Sequence, residues 1–215
     1  NMWDNLGRNL GEFSFANRLN PYNNQSINSY KNKPRFIIEG QKYIDDICKM
    51  KTGAIFFSAH IGNWEICPLI LSGKNLKVTS IYRHANNPLN EKIIQWLRKG
   101  ISIYAPKGPG GAKTLFKVLR NKEFAAILAD QKLNEGKLIN FLGHPAKTAT
   151  AIGELAIKLS IPIVPIHVQR INGATFKYII EKPIMNKKDN DNHDEELIKL
   201  LNIINKTLEK WVLKC

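Results

Sequence analysis

Ala54-Ile-Phe-Phe-Ser-Ala-His60-Ile-Gly-Asn-Trp-Glu65 is the stretch that decides the fold. The β-rich run Ala54 to Ala59 predicts a buried strand, and Gly62-Asn63 supplies a turn and a helix N-cap. Glu65 then falls in the first helical turn, where the helix dipole favours a carboxylate. We expect the turn to fold the imidazole of His60 back toward that carboxylate. The stretch therefore predicts a His/acid pair at the carboxyl end of a strand.

Such a pair has a chemical use. If Glu65 holds one ring nitrogen of His60, the other nitrogen is free to act as a general base. The plainer alternative is that His60 only ends a strand and that Glu65 is a solvated acid of the first helical turn. The residue types of this pair alone favour the plainer alternative.

The wider sequence adds a resemblance. Ser58-Ala-His-Ile-Gly-Asn-Trp-Glu65 resembles the first sequence block of the bacterial lipid A biosynthesis acyltransferases. They are a branch of the glycerolipid acyltransferase superfamily, which is defined by a His, four residues and then Asp or Glu. Segments similar to the later blocks follow in the expected order: Arg83 after Leu76 to Tyr82, Asp130-Gln131 after Phe124 to Ala129, Phe141-Leu-Gly-His-Pro-Ala-Lys-Thr148, and Ile161-Pro-Ile-Val-Pro-Ile166.

The resemblance implies an activity and a set of partners. The expected reaction moves a fatty acyl chain from the phosphopantetheine thioester of acyl carrier protein to a hydroxyl of a phosphorylated lipid A precursor, with no bound cofactor and no metal. It belongs to lipopolysaccharide biosynthesis, at the cytoplasmic face of the inner membrane. His60 is then the general base and Glu65 the acid that fixes it, while Asp130 could share or replace the role of Glu65. Arg83 is expected to bind an acceptor phosphate, with Lys147 as a second candidate.

The pattern along the chain predicts the fold class. Strand-like and helix-like segments alternate, which is typical of an α/β domain with a mainly parallel sheet flanked by helices. Ligands of such sheets bind beyond the carboxyl ends of the strands, where His60, Arg83 and Asp130 all lie. The predicted strands are 54–59, 76–82, 101–105, 124–129, 138–142, 161–169 and 175–181, with a shorter one at 36–39. The predicted helices are 1–20, 41–49, 64–72, 89–99, 112–121, 149–159 and 195–213, and the polar segment 21–34 is predicted to be a loop.

Length and composition favour one domain over residues 1–215. The chain is 43% hydrophobic, enough for one sizeable core, and no apolar run reaches the roughly eighteen residues of a membrane span. Its three cysteines are odd in number and indicate free thiols. Members of the similar family begin with a membrane-spanning helix and end in a tail rich in Trp and Arg. Because this chain shows neither, we expect a catalytic core cropped at both ends.

The net charge of +14 predicts attraction to polyanions, including an anionic membrane surface. We expect no nucleic-acid partner, since the chain contains no RNP-like strand, Cys/His finger or helix-turn-helix pattern. Phosphate-loop, nucleophile-elbow and His-Glu-x-x-His patterns are also absent. Two alternatives stay open: acylation of another glycolipid or glycerolipid, and a basic lipid-binding or nucleic-acid-binding protein without enzymatic activity.

Overall fold

The computed structural model describes residues 2–23, 27–28, 33–185 and 192–214. Its helices are α1 (Met2–Ala16), α2 (Gln41–Met50), α3 (Leu69–Ser72), α4 (Pro88–Arg98), α5 (Pro109–Arg120), α6 (Ala151–Leu159) and α7 (His193–Val212), with a 3-10 turn at Trp64–Ile66. Its strands are β1 (Ile27–Asn28), β2 (Lys33–Pro34), β3 (Phe36–Glu39), β4 (Ala54–Ser58), β5 (Val78–Tyr82), β6 (Ile103–Pro106), β7 (Phe124–Leu128), β8 (Lys137–Phe141), β9 (His144–Thr148), β10 (Ile163–Asn172) and β11 (Thr175–Ile180).

In the described part of the chain, seven of these strands form one sheet in the order β3-β11-β10-β4-β7-β5-β6. Strands β10, β4, β7, β5 and β6 run parallel to one another, while β11 is antiparallel to β10 and β3 is parallel to β11. The α/β class with a mainly parallel sheet is therefore confirmed. The central strand β4 is buried along its whole length, as its apolar run predicts.

Alternate residues of the strands feed two hydrophobic cores, one on each face of the sheet. On the first face, Phe56 and Ile166 pack with residues of α1, α2 and α3. On the second face, Ile55 and Phe57 pack with residues of α5, α6 and α7. The domain thus has a helix layer on both sides of the sheet, and the carboxyl ends of the parallel strands share one edge.

Helix α7 closes the second face. The sequence places Leu197, Leu200, Leu201, Ile204, Leu208 and Trp211 on one helical stripe, and all six side chains are buried. Trp211 stacks on Phe57 at a centroid distance of 5.6 Å. This stripe is therefore a core face and not a surface for another molecule.

Three local predictions need correction. The segment predicted as one helix over 64–72 is a 3-10 turn followed by α3, because Pro68 has no N–H to continue a helical ladder. The strand predicted at 138–142 lies outside the main sheet and pairs antiparallel with β9, which the sequence did not predict. The predicted loop 21–34 contains the short β1–β2 pair, while its residues 24–26 and 29–32 fall outside the described part.

Candidate active site

His60 and Asp130 meet at the carboxyl edge of the sheet. Strands β4 and β7 are parallel neighbours with Ser58 opposite Leu128, so the residues that follow both strands emerge side by side. The His60 ring nitrogen Nδ1 lies 2.8 Å from Asp130 Oδ1, and the His60 backbone N–H donates to Asp130 Oδ2, also at 2.8 Å. Two bonds to one carboxylate fix both the position of His60 and the plane of its ring.

The hydrogen bonds also set the protonation pattern. Burial alone would raise the pKa of Asp130, but the bonds from the His60 ring and backbone outweigh it and hold the pKa below its usual value. An ionised carboxylate can only accept a hydrogen bond. The proton of the neutral imidazole is therefore on Nδ1, and this N–H donates a hydrogen bond to Asp130. The free electron pair of His60 is therefore on Nε2, which the Gln131 amide approaches at 3.5 Å.

Glu65 does not hold His60, contrary to the sequence prediction. Both of its oxygens accept from the Arg98 guanidinium, at 2.8 Å from Nη2 and 3.2 Å from Nε. Each of the two side chains is only 17% exposed. The 3-10 turn aims the carboxylate at the last residue of α4, which is 33 positions away in sequence. The acid that orients His60 is thus Asp130, which the sequence analysis gave only a shared or substitute role.

Arg98 is a residue that the sequence analysis missed. Its guanidinium lies over the rings of Tyr104, Tyr82 and Phe13, at 4.9, 5.1 and 5.7 Å from their centroids. Burial lowers its pKa, but the hydrogen bond and negative charge of Glu65 raise it above the usual value overall. Arg98 therefore stays charged and joins α4 to the turn that follows His60.

Helix α1 holds that turn from its other side. The side-chain amides of Asn5 and Asn9 both donate to the Gly62 carbonyl, at 2.8 and 2.9 Å. Gly62 has φ of +55°, and a Cβ there would lie 1.7 Å from the Val168 carbonyl oxygen. Only glycine fits this position, so the turn is packed between α1 and β10.

A charged pair continues this contact. The Asn63 amide donates to Glu12 Oε2 at 2.7 Å, and Arg170 of β10 donates to both oxygens of Glu12. Arg170 also donates to Asn9 Oδ1 at 2.9 Å. We call this set, Asn5, Asn9, Glu12 and Arg170, the α1 clamp. Its bonds join α1 and β10 to residues two and three positions after His60.

A cavity of about 620 Å³ opens beside the His60 ring. Apolar side chains form much of its wall, namely Phe56, Cys67, Ile70, Leu71, Ala126, Leu128 and Ile166 from the first face and Ile81, Leu115, Ile127 and Leu133 from the second face or the adjacent loops. Glu65 and Arg98 form another part of the wall. The cavity therefore places the His60 imidazole beside an apolar space of ligand size.

The predicted phosphate contacts differ in position. Arg83 is exposed, lines the cavity and has no hydrogen bond or ion pair with any described residue. Lys147 lies on β9 outside the cavity lining and donates to the Asn134 carbonyl at 2.7 Å. Lys107 and Lys132 also line the cavity, although the sequence analysis did not single them out. The structure thus favours Arg83 over Lys147 as a free cation near His60.

A known family covers almost the whole chain. The family model described as bacterial lipid A biosynthesis acyltransferase matches residues 1–214. The chain belongs to this family. As a member of the lipid A acyltransferase family it is an acyltransferase of lipid A synthesis, and the family in general acts on thioesters of acyl carrier protein. Among proteins with curated descriptions, none matches this chain.

Two absences concern the part of the chain that the structure describes. None of its helices is long and apolar enough to cross a bilayer. Nor does any group of three or more His, Cys, Asp and Glu side chains in these ranges have the arrangement of a metal site.

Proposed function

We propose that this acyltransferase moves a fatty acyl chain from the thioester of acyl carrier protein to a hydroxyl of a phosphorylated lipid A precursor, with His60 as general base. The observation that carries the proposal is the His60–Asp130 pair beside the apolar cavity. A protonated Nδ1 held by a carboxylate leaves Nε2 as the proton acceptor. The family supplies the substrate class.

The reaction needs one base and no covalent intermediate on the enzyme. His60 Nε2 takes the proton of the acceptor hydroxyl as its oxygen attacks the thioester carbonyl, so that a C–O bond forms. The tetrahedral intermediate then collapses, the C–S bond breaks, and the imidazolium gives its proton to the departing thiolate. Asp130 keeps the ring in the correct tautomer and stabilises the positive charge that His60 carries between the two proton transfers.

The cavity suits the acyl chain of the donor. Its volume of about 620 Å³ lies within the usual size of ligand pockets, and its apolar wall would shield methylene groups from water. In this proposal the ion pair between Glu65 and Arg98 stabilises one wall of the cavity. Glu65 thus supports the site through Arg98 and not through His60.

The positive charge of the protein supports a phosphorylated acceptor and a location at an anionic membrane surface. Among the residues that the structure describes, none pairs with the Arg83 guanidinium at the cavity, which suits a phosphate of the acceptor. The net charge of +14 favours acidic partners, both acyl carrier protein and the anionic cytoplasmic face of the inner membrane. Lys147 is not among the residues that line the cavity, and its ammonium group donates to the Asn134 carbonyl, so Arg83 is the better candidate for this role.

Replacing the base tests the function. His60→Ala should lower turnover by about 10²- to 10⁴-fold, the usual contribution of general-base catalysis. Product is measured by mass spectrometry after incubation with acyl carrier protein thioesters and a lipid A precursor. His144→Ala is the matched control, because His144 is exposed on β9 and does not line the cavity. A folded His60→Ala protein with wild-type turnover would contradict the role of His60 as general base. Transfer of the acyl chain only to another glycolipid would contradict the lipid A precursor as acceptor.

A further inference from the structure

Helix α4 exposes three large apolar side chains on one face. Leu89, Ile93 and Trp96 are 65%, 50% and 64% exposed, and their spacing of four and three residues places them on a single stripe. We call these three residues the α4 stripe. No residue of α4 is buried, so the helix contributes little to either core. Three such side chains in a row are more than the scattered exposed residues of an ordinary surface.

The opposite side of α4 is firmly anchored. Glu91 accepts hydrogen bonds from Tyr82 and from the Ala85 backbone, and the Tyr82 bond is the largest cause of a Glu91 pKa lowered to about 2. At the end of the helix, Arg98 forms the ion pair with Glu65. The orientation of α4 is therefore fixed by polar contacts, and these contacts turn the α4 stripe outward.

The charges beside the α4 stripe indicate what covers it. Lys92 and Lys99 are exposed, and the side chain of neither forms a hydrogen bond or ion pair with another described residue. Helix α1 packs beside α4 through Phe13 and Arg98, and its own Leu10 is also exposed. Apolar side chains flanked by free lysines match an anionic bilayer surface, which offers acyl chains below and phosphates above.

We propose that the α4 stripe docks on the surface of an anionic phospholipid bilayer. The inference deepens the proposed function and rests on it, because the acceptor is itself a membrane lipid. Helix α4 begins five residues after Arg83 and ends at Arg98, and both arginines line the cavity. A bilayer that contacts α4 is thus next to the cavity. A lipid acceptor could then bind Arg83 while part of it remains in the bilayer.

Vesicle binding tests the docking face without any catalysis. The probe is phosphatidylcholine vesicles with and without phosphatidylglycerol, in a cosedimentation assay at low salt. The wild type should bind the anionic vesicles. The double variant Ile93→Gln, Trp96→Gln should bind them at least about tenfold more weakly, because it lacks two exposed apolar side chains that would be buried in the bilayer. Leu138→Gln is the matched control: Leu138 is 66% exposed on the β8–β9 hairpin and should have no effect.

Trp96 supplies a second measurement. In the wild type its fluorescence should shift to shorter wavelength and be quenched by brominated lipids, and Trp96→Phe should remove most of this change while keeping binding. Equal vesicle binding by the wild type and the double variant would overturn the proposal. A double variant that instead binds vesicles normally but loses affinity for acyl carrier protein would overturn it in favour of a protein-docking face.

Activity separates this inference from the proposed function. With the acceptor dispersed in detergent micelles, the double variant should turn over as fast as the wild type. With the acceptor in vesicles, it should lose activity in proportion to its binding. An inactive wild type in both assays would contradict the proposed function, whereas equal activity of both proteins in vesicles would contradict the docking face alone.

Discussion

Replacing Asp130 by Asn tests which acid serves His60. Both carboxylate oxygens of Asp130 accept an N–H, one from the His60 ring and one from its backbone. Asparagine offers one acceptor and one donor, so in either orientation an N–H faces an N–H. If the amide nitrogen faces the ring, the imidazole must move its proton to Nε2, and it then has no electron pair for the substrate.

The expected loss follows from these two bonds. A hydrogen bond to a charged group contributes about 1.5–3 kcal/mol, which is about 10- to 100-fold in rate if it acts on the transition state. Where the tautomer also changes, the general-base contribution of about 10²- to 10⁴-fold is lost. We therefore expect Asp130→Asn to lower turnover by at least about 10-fold, and by about 10²- to 10⁴-fold where the tautomer changes, with little change in the KM of either substrate.

Glu65→Gln is the matched comparison, since it neutralises the other acid of the site. Gln keeps one acceptor for Arg98, and we expect a loss of about 1–3 kcal/mol in unfolding free energy from the half-broken, mostly buried pair. Turnover per folded molecule should fall less than about tenfold, because no bond to His60 is lost. Initial rates and urea unfolding of the purified variants measure both effects. Near wild-type turnover in Asp130→Asn, together with an inactive but equally stable Glu65→Gln, would refute this assignment.

Two further changes address charge. Arg83→Ala should raise the KM for the phosphorylated acceptor by about 10- to 100-fold and leave the KM for the donor unchanged, and Arg83→Lys should recover part of this loss. A change in the donor KM alone would show that Arg83 binds the donor and not the acceptor. Burial lowers the pKa of His167 from 6.5 to about 4. Between these values the unfolded chain binds a proton that the folded chain does not, so His167 costs stability as the pH falls, up to about 3 kcal/mol. Urea unfolding at about pH 7 and about pH 4.5 should show a smaller loss on acidification for His167→Gln than for the wild type, and equal losses would contradict the assignment.

The strand ends were predictable and the turn between them was not. The apolar run of β4 and the positions of His60 and Asp130 after parallel strands follow from local sequence. The partner of Glu65 does not, because Pro68 divides the predicted helix and leaves a 3-10 turn whose direction depends on α4. Sequence spacing alone predicted that Glu65 contacts His60. In the structure Glu65 instead pairs with Arg98, which is 33 positions away in sequence.

Two other features lay outside local patterns. Strand β9 contains Pro145, Ala146 and Lys147, which have low β-propensity, and it forms only because β8 lies opposite. The α1 clamp depends on side-chain amides that any surface helix could carry. Asn5 and Asn9 do recur at helical spacing on α1, a weak signal of a polar contact face.

The α1 clamp has a consequence for how the protein acquires activity as it folds. The hydrogen bonds around His60 join residues that are distant in sequence. The separation is 53 residues between Asn9 and Gly62, 70 between His60 and Asp130, and 158 between Glu12 and Arg170. Contacts that distant in sequence form slowly, because long loops must close before they gain any stabilisation. Most of the helices and strands can assemble while the imidazole is still unsupported. We therefore expect catalytic competence to be among the last properties to appear during refolding, after the secondary structure and much of the apolar burial are complete.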